Sequence, residues 1–420
     1  MLYRVDNYAT SHELVRLNTV KPSWMRAPGE TPGQFALECA MDELAYALEM
    51  DPVALRMKND ADVNLHNEKP FSSKHLAACY KQGAERFGWA RRNPQPRSMR
   101  DGKALLGSGM GTATYPGYIM GATVKVRLER DGNDVRAVAS TAGSDVGTGL
   151  YTMLAMTVAD ELGLPLEKVK VDLGDSEFPP CAVAGGSNLT ASTAPAATDA
   201  CVEIRKELLK LAAHAPDGFT GAEGKEEEFV FENGRVAPRT EPGRSIGYRE
   251  LLGLHGQPLE SVASTRPVFG HNEQFSFQSF GTHFVEVRVE EAIGRVRVSR
   301  VVSVFDCGRI LSAKTTRSQF MGGIIFGIGM GLSEELVFDR AHGKPVNADL
   351  AGYLVPVQAD VPDIDISWIG EPDYHFNPLG ARGIGEIGIT GVAAAIANAV
   401  YHATGIRVRD LPITPDKLLR

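Results

Sequence analysis

The chain has 420 residues, 43% hydrophobic and 23% charged, as expected of a globular protein long enough for two or three domains. A formal charge of −8, without any Lys/Arg run or basic stripe, makes nucleic acid a poor partner. No stretch is long and apolar enough to span a membrane, and MLYRVDNYATSHELVRL lacks the apolar segment of a signal peptide.

In chain order, Phe35 to Met50 is predicted to be a helix, because Phe35, Leu37, Ala40, Met41, Leu44, Ala45 and Leu48 recur at helical spacing. Pro52 opens a second short helix, Val53 to Lys58, and a third is expected near His75 to Phe87 within a polar, Pro/Arg-rich connection. Ala122 to Leu128 alternates apolar with polar residues, Asp131-Gly-Asn-Asp turns, and Val135 to Ser140 returns. Gly147-Thr-Gly149 then leads into a helix over Leu150 to Leu162, and Val169 to Leu173 reads as a strand. Ser187 to Ser192 reads as a loop of small residues and Ala194 to Ala213 as a helix. Pro216 to Pro267, charged and turn-rich, is expected to be a surface excursion.

The β pattern then recurs. His283 to Val289 alternates, Ala292-Ile-Gly294 turns, Arg295 to Val304 returns, and Asp306-Cys-Gly308 precedes a helix over Thr316 to Met330. The repetition predicts an α+β fold of duplicated units forming two lobes, and a cleft between lobes is a natural ligand site. The last helix, Val392 to Thr404, should end at Gly405. Three spans are expected: 1–106, helical and connecting; 107–275, a first α+β lobe with the surface excursion; and 276–420, a second α+β lobe.

The five cysteines are scattered, without C-x-x-C or metal-ligand spacing, so buried thiols in a reducing compartment are expected. The ten histidines form no ligand cluster, and no metal ligand is assigned to a protein side chain. Glu386 is one acid among the glycines of GARGIGEIGITG, just before an Ala-rich helix. It is either a catalytic base pressed against a cofactor or an ordinary position of a G-x-G-x-x-G loop, which Gly383, Gly385 and Gly388 fit. A dinucleotide loop needs a strand running into it and another after its helix. Tyr374-His-Phe-Asn-Pro-Leu is no strand, and the chain nearly ends after the helix, so the NAD-dependent alternative is demoted.

Arg26, in the Pro/Gly-punctuated loop Pro22 to Gly33, is either a tie between surface loops or a clamp for an anion or carbonyl. Gly185-Gly-Ser-Asn-Leu-Thr-Ala-Ser192 fits polar atoms of a phosphate or pterin, or a plain helix cap, and Gly147-Thr148-Gly149 has the same two readings. Gln319, early in an apolar helix, needs partners from a ligand or from neighbouring backbone. Tyr115 and Tyr118 either wall a pocket or belong to the core.

Together these segments resemble the C-terminal part of the molybdenum-binding subunit of the xanthine dehydrogenase/aldehyde oxidase family, over essentially the whole chain. MRAPGE followed by CAMDELA looks like the substrate-arginine segment. DVGTGLYT, GGSNLTAS and DCGRILSAKTTRSQFMGGIIFGIG look like cofactor segments, and GARGIGEIGITGVAAAIANAV like the catalytic loop. The MRAPGE form leans towards the aldehyde-oxidising, cytosine-dinucleotide branch. Departures are Ser144, where the family often has Gln, and Lys314, where it often has Pro or Leu.

The resemblance implies the fold of a molybdenum cofactor-binding domain and hydroxylase chemistry, oxidising aldehydes to carboxylic acids with oxygen from water. Glu386 would be the general base, and Arg26 would polarise the substrate carbonyl. Gly147, Thr148, Gly185, Gly186, Ser187, Thr190, Ser192, Gln319, Gly383 and Gly385 would hold a molybdopterin cytosine dinucleotide, and Tyr115 and Tyr118 would line the substrate pocket. Implied partners are an iron–sulfur subunit, an FAD subunit and a missing N-terminal lobe, since Met1 reads as an internal residue. A cytoplasmic location is expected, with periplasmic export on a partner's signal as the variant. The rivals are a cofactor-less remnant or partner-binding scaffold, and an N-heterocycle hydroxylase.

Overall fold

A computed structural model describes residues 2–21 and 23–419; Met1, Pro22 at the head of the arginine loop, and Arg420 lie outside the described residues. The main elements begin with helices α1 (Glu30–Ala47), α2 (Pro52–Lys58) and α3 (Leu76–Phe87), then strands β1 (Met99–Asp101) and β2 (Ala104–Pro116). Next come β3 (Thr123–Asp131), β4 (Asp134–Thr141), α4 (Leu150–Leu162), β5 (Val169–Leu173), α5 (Leu189–His214), α6 (Tyr248–His255) and β6 (Leu259–Ser264). The rest are β7 (Gln278–Glu290), β8 (Arg295–Asp306), α7 (Ala313–Leu332), β9 (Asp363–Trp368) and α8 (Val392–Thr404).

Two compact units result. The first comprises Met1–Pro116, Gly270–Asp373 and Ile384–Arg420; the second comprises Gly117–Phe269 and Tyr374–Gly383. Residues 1–106, expected as a separate N-terminal segment, fall in the same unit as Gly270–Asp373 and Ile384–Arg420.

In the second unit the alternation of β3 buries Val124, Val126 and Leu128, and that of β4 buries Val135, Ala137 and Ala139. The sheet order is β6-β3-β4-β5, antiparallel except for the parallel pair β4/β5. In the first unit the order is β9-β8-β7-β2-β1, again with one parallel pair, β8/β9. The duplication therefore runs deeper than hairpin, glycine turn and helix. Each unit has a hairpin, a helical crossover to a parallel strand (α4 to β5, α7 to β9) and a further helix lying on the sheet (α5, α8).

The close packing of α8 has a specific cause. On β2, Gly107, Gly109 and Gly111 alternate, so all three present a bare backbone to one face. A Cβ at these positions would lie 1.9 Å from Ala399 O, 2.2 Å from Ala399 N and 2.4 Å from Gly391 O. The Ala-rich helix thus rests directly on the strand.

The expectation of a surface excursion over 216–267 is corrected. Phe219, Phe229, Val236, Tyr248, Leu251, Leu252 and Leu259 are all buried in the second unit's core, and β6 is an edge strand paired with β3. The charged, turn-rich composition reports only the solvent face, while well-spaced apolar residues supply the other. The expected loop Ser187 to Ser192 is also shorter than predicted. Helix α5 already begins at Leu189, five residues before the expected start, with Ser192 and Thr193 bonding back to Asn188 O and Leu189 O. Among the described residues, no helix is long and apolar enough to cross a membrane.

Candidate functional site

In the first unit, α1 is anchored by a buried charge network. Glu38 is fully buried and pairs with the equally buried Arg56 at 2.7 Å. Its carboxylate also accepts from Tyr3 OH at 2.5 Å and Thr112 N at 2.8 Å. Burial alone would lower the Arg56 pKa, but the Glu38 charge outweighs it and raises it. With every charged atom matched, α1 has a fixed start, and the loop before it a fixed end. That loop turns through Ala27, buried at φ 56°, and Gly29 at φ 83°, which is the helix N-cap. An L-residue held left-handed in the core is costly, and here it sets the direction of Arg26.

The Arg26 guanidinium bridges two other parts of the unit. Nε donates to Gly385 O at 2.5 Å, and Nη2 donates to Gln319 O at 2.8 Å. Nη2 also lies 3.5 Å from Gln319 Oε1. Nη1 faces Gly322, where an added Cβ would lie 3.4 Å away. Burial lowers the Arg26 pKa, partly opposed by the charge of Glu386. Arg26, Gln319, Gly385 and Glu386 are thus brought together. Gln319 acts through its backbone as well as its amide, which the sequence did not indicate.

Glu386 sits in consecutive tight turns: Ile389 N donates to Glu386 O, Thr390 N to Ile387 O and Val392 N to Ile389 O, at 3.2, 3.2 and 3.3 Å. The glycines around it pack chain against chain. Gly323 of α7 meets Gly388, where a Cβ would lie 2.6 Å from the carbonyl carbon, and Gly391, at φ 83°, lies against Thr112 O. A further carboxylate, Glu30, was not singled out from sequence, although it is the acid of MRAPGE itself. Its pKa is raised by burial first, and also by Glu386.

In the second unit, Gly383 meets Ser187: a Cβ there would lie 1.8 Å from Ser187 O. Ser187 and Gly186 both adopt positive φ, 55° and 69°. Asn188, buried and not predicted, ties the loop by donating to Val183 O at 3.0 Å. Gly185 is different. It has no positive φ, and an added Cβ would meet nothing within 4 Å. No contact within the unit explains a glycine there, whereas a ligand lying against the backbone would, with the half-buried Ser187 and Thr190 beside it. That cradle and its hydroxyls fit a polar cofactor.

Ser192 is less suited to a ligand. It is fully buried, donates to Asn188 O at 2.8 Å and accepts from Met120 N at 3.0 Å. Gly147 and Thr148 are organised by Asp145, whose Oδ1 accepts from Gly147 N, Thr148 N and Gly149 N at 2.9, 2.8 and 3.1 Å. Burial would raise the Asp145 pKa, but these amides hold it below the usual carboxylate value. The place an anion would take at this helix start is filled by the chain's own carboxylate. Tyr115 is buried in β2 of the first unit, whereas Tyr118 is half-buried in the second unit, where it pairs with Phe269. Among the described residues, no group of three or more His, Cys, Asp or Glu is arranged to hold a metal ion.

Two family models described as molybdopterin cofactor-binding domains match the chain, over residues 82–362 and 1–60. The aldehyde oxidoreductase molybdenum-binding subunit PaoC of Escherichia coli (strain K12) is 40% identical over 421 residues, covering 100% of this chain and 55% of that protein. The xanthine dehydrogenase molybdenum-binding subunit of Escherichia coli O157:H7 is 28% identical, covering 99% of this chain and 56% of that protein. The solved aldehyde oxidoreductase of Desulfovibrio gigas superposes with a TM-score of 0.75 at 25% identity, over 94% of this chain and 41% of that one. The chain spans about half the length of the curated relatives it matches.

Proposed function

The chain belongs to the molybdopterin cofactor-binding family, and on that premise we propose that it is the C-terminal portion of the molybdenum subunit of an aldehyde-oxidising hydroxylase. The observation that carries the reading is the Arg26 fork, which joins the arginine loop, α7 and the Glu386 turn within one unit. The 40% identity to an aldehyde oxidoreductase subunit, against 28% to a xanthine dehydrogenase subunit, supports an aldehyde over an N-heterocycle.

Bound cofactor supplies two-electron redox chemistry, with water as the source of oxygen. The chain's own residues supply binding and proton transfer. Glu386 takes the proton released in the reaction, a role for a carboxylate held in a fixed turn. Arg26 keeps two of its nitrogens on backbone carbonyls and presents Nη1 to the substrate carbonyl, stabilising charge that develops there. Because Nε and Nη2 are spent on positioning, Nη1 is held without reorganisation. Gly185 and Gly186, with the Ser187 and Thr190 hydroxyls, would hold the polar atoms of the cofactor, read as molybdopterin cytosine dinucleotide. Electrons would pass to iron–sulfur and FAD partners, and the remaining length of the relatives would correspond to a further lobe of the same subunit. A cytoplasmic location accompanies this reading.

The test is Glu386→Gln in the enzyme assembled with those partners. Loss of roughly 100- to 10,000-fold in kcat with molybdenum and pterin content retained is the expected result. Turnover near the parental rate removes Glu386 as base, and absence of molybdenum from the parental complex removes the enzymatic reading altogether.

A further inference from the structure

A fully buried histidine lies beneath the Glu386 turn. His283 is on β7, the central strand of the first unit's sheet, and its side chain reaches the turn from below. Its Nε2 is 3.0 Å from Thr390 O and its Nδ1 is 2.7 Å from Ser303 Oγ. A carbonyl oxygen only accepts, so Nε2 carries the proton and donates, while Nδ1 accepts from the Ser303 hydroxyl. Burial depresses the His283 pKa to about 3, so the ring is neutral and this pattern is fixed.

Thr390 passes the constraint on. Its Oγ1 accepts from Thr114 N at 3.1 Å and donates to Ile387 O at 3.0 Å, next to Glu386. A second route runs through aromatic rings. The His283 ring stands edge-on to Phe305 at 5.5 Å, Phe305 stacks on Phe320 at 3.9 Å, and the Phe320 backbone packs so near Gly388 that a Cβ there would lie 3.1 Å from it. An imidazole in a sheet core costs desolvation that an apolar side chain would avoid. Its two hydrogen bonds end on the turn and on the strand behind it.

We propose that His283 is a positioning residue for Glu386, holding the turn through Thr390 O so that the carboxylate keeps one placement. The inference rests on Glu386 being the base.

The test uses the assembled enzyme with His283→Phe, His283→Gln and Ser303→Ala, each corrected for cofactor content. His283→Phe is expected to lower kcat per loaded site about tenfold, leaving KM within about twofold. Hydrogen exchange at the Ile389 and Thr390 amides should accelerate about tenfold in the same variant, a readout independent of activity. His283→Gln, whose amide reaches the same carbonyl, should restore kcat to within about threefold of the parent. If His283→Phe fails to assemble, Ser303→Ala carries the test, with an expected fall in kcat of about threefold. Unchanged kcat and unchanged exchange in the variants that assemble overturn the proposal. Glu386→Gln is measured in parallel: if it keeps its turnover the base assignment falls, and the exchange data alone decide whether His283 holds the turn.

Discussion

Lowering the pH should unfold the first unit through two buried imidazoles. Burial depresses the pKa of His283 to about 3 and that of His402 to about 4. His402 Nδ1 accepts from Ser108 N at 2.9 Å and its Nε2 donates to Asn93 O at 2.7 Å, so a second proton has no place on it. In the unfolded chain both rings titrate near the ordinary value of about 6.5. Between the folded and unfolded values, the unfolded state binds more protons. Stability is therefore intact above about pH 6.5 and is lost as pH falls, down to about 4 for His402 and about 3 for His283. At about pH 4.5 the linkage relation gives a loss of roughly 3 kcal/mol from each ring. Together these approach the whole stability of a typical domain, about 5–15 kcal/mol. Urea unfolding at pH 7 and pH 4.5, followed by the fluorescence of buried Trp89, measures the loss. His283→Gln and His402→Gln should each remove about half of that pH dependence, since carboxylates contribute equally to parent and variant. A double variant with the parental pH dependence would refute the reasoning.

Two other outcomes follow from the first unit's charges. Arg56→Leu should cost about 3–5 kcal/mol in a denaturant titration, because it strands the fully buried carboxylate of Glu38. Adding Glu38→Gln to it should recover much of that loss, and no recovery would contradict the pairing. Arg26→Lys keeps the charge but cannot bridge Gly385 O and Gln319 O together. Losing one charge-assisted hydrogen bond, about 1.5–3 kcal/mol, should lower kcat/KM roughly 10- to 150-fold in the assembled enzyme while cofactor content holds. A change within about twofold would mean that the fork does not matter.

Much of the fold was legible because it is written in periodicity. The helices over 150–162 and 392–404 and the strand over 169–173 were predicted with the boundaries they have, each flanked by glycine turns or capped by them. The surface excursion was misjudged because composition averages over both faces of an element. Tyr248 and Leu251 are core residues within a segment that is charged on the whole. The glycine row of β2 was overlooked for a related reason: period two in glycine carries no hydropathy signal, though it marks where α8 lies down.

From sequence alone came the α+β class, the repeat, the molybdenum-hydroxylase resemblance, and Arg26, Gln319 and Glu386 as residues worth placing. These rest on local pattern and residue chemistry, which a linear string retains. Only tertiary structure decided what holds them. The Arg26 fork joins residues 293 and 359 positions apart, and His283 reaches Thr390 across 107. It also showed that the glycines at 383, 388 and 391 lie close against backbone, and that Asp145 is the carboxylate accepting the amides at its own helix start. A hydrogen bond or a missing Cβ acts on whatever the fold brings within a few ångströms, and neighbours in space are not neighbours in the chain.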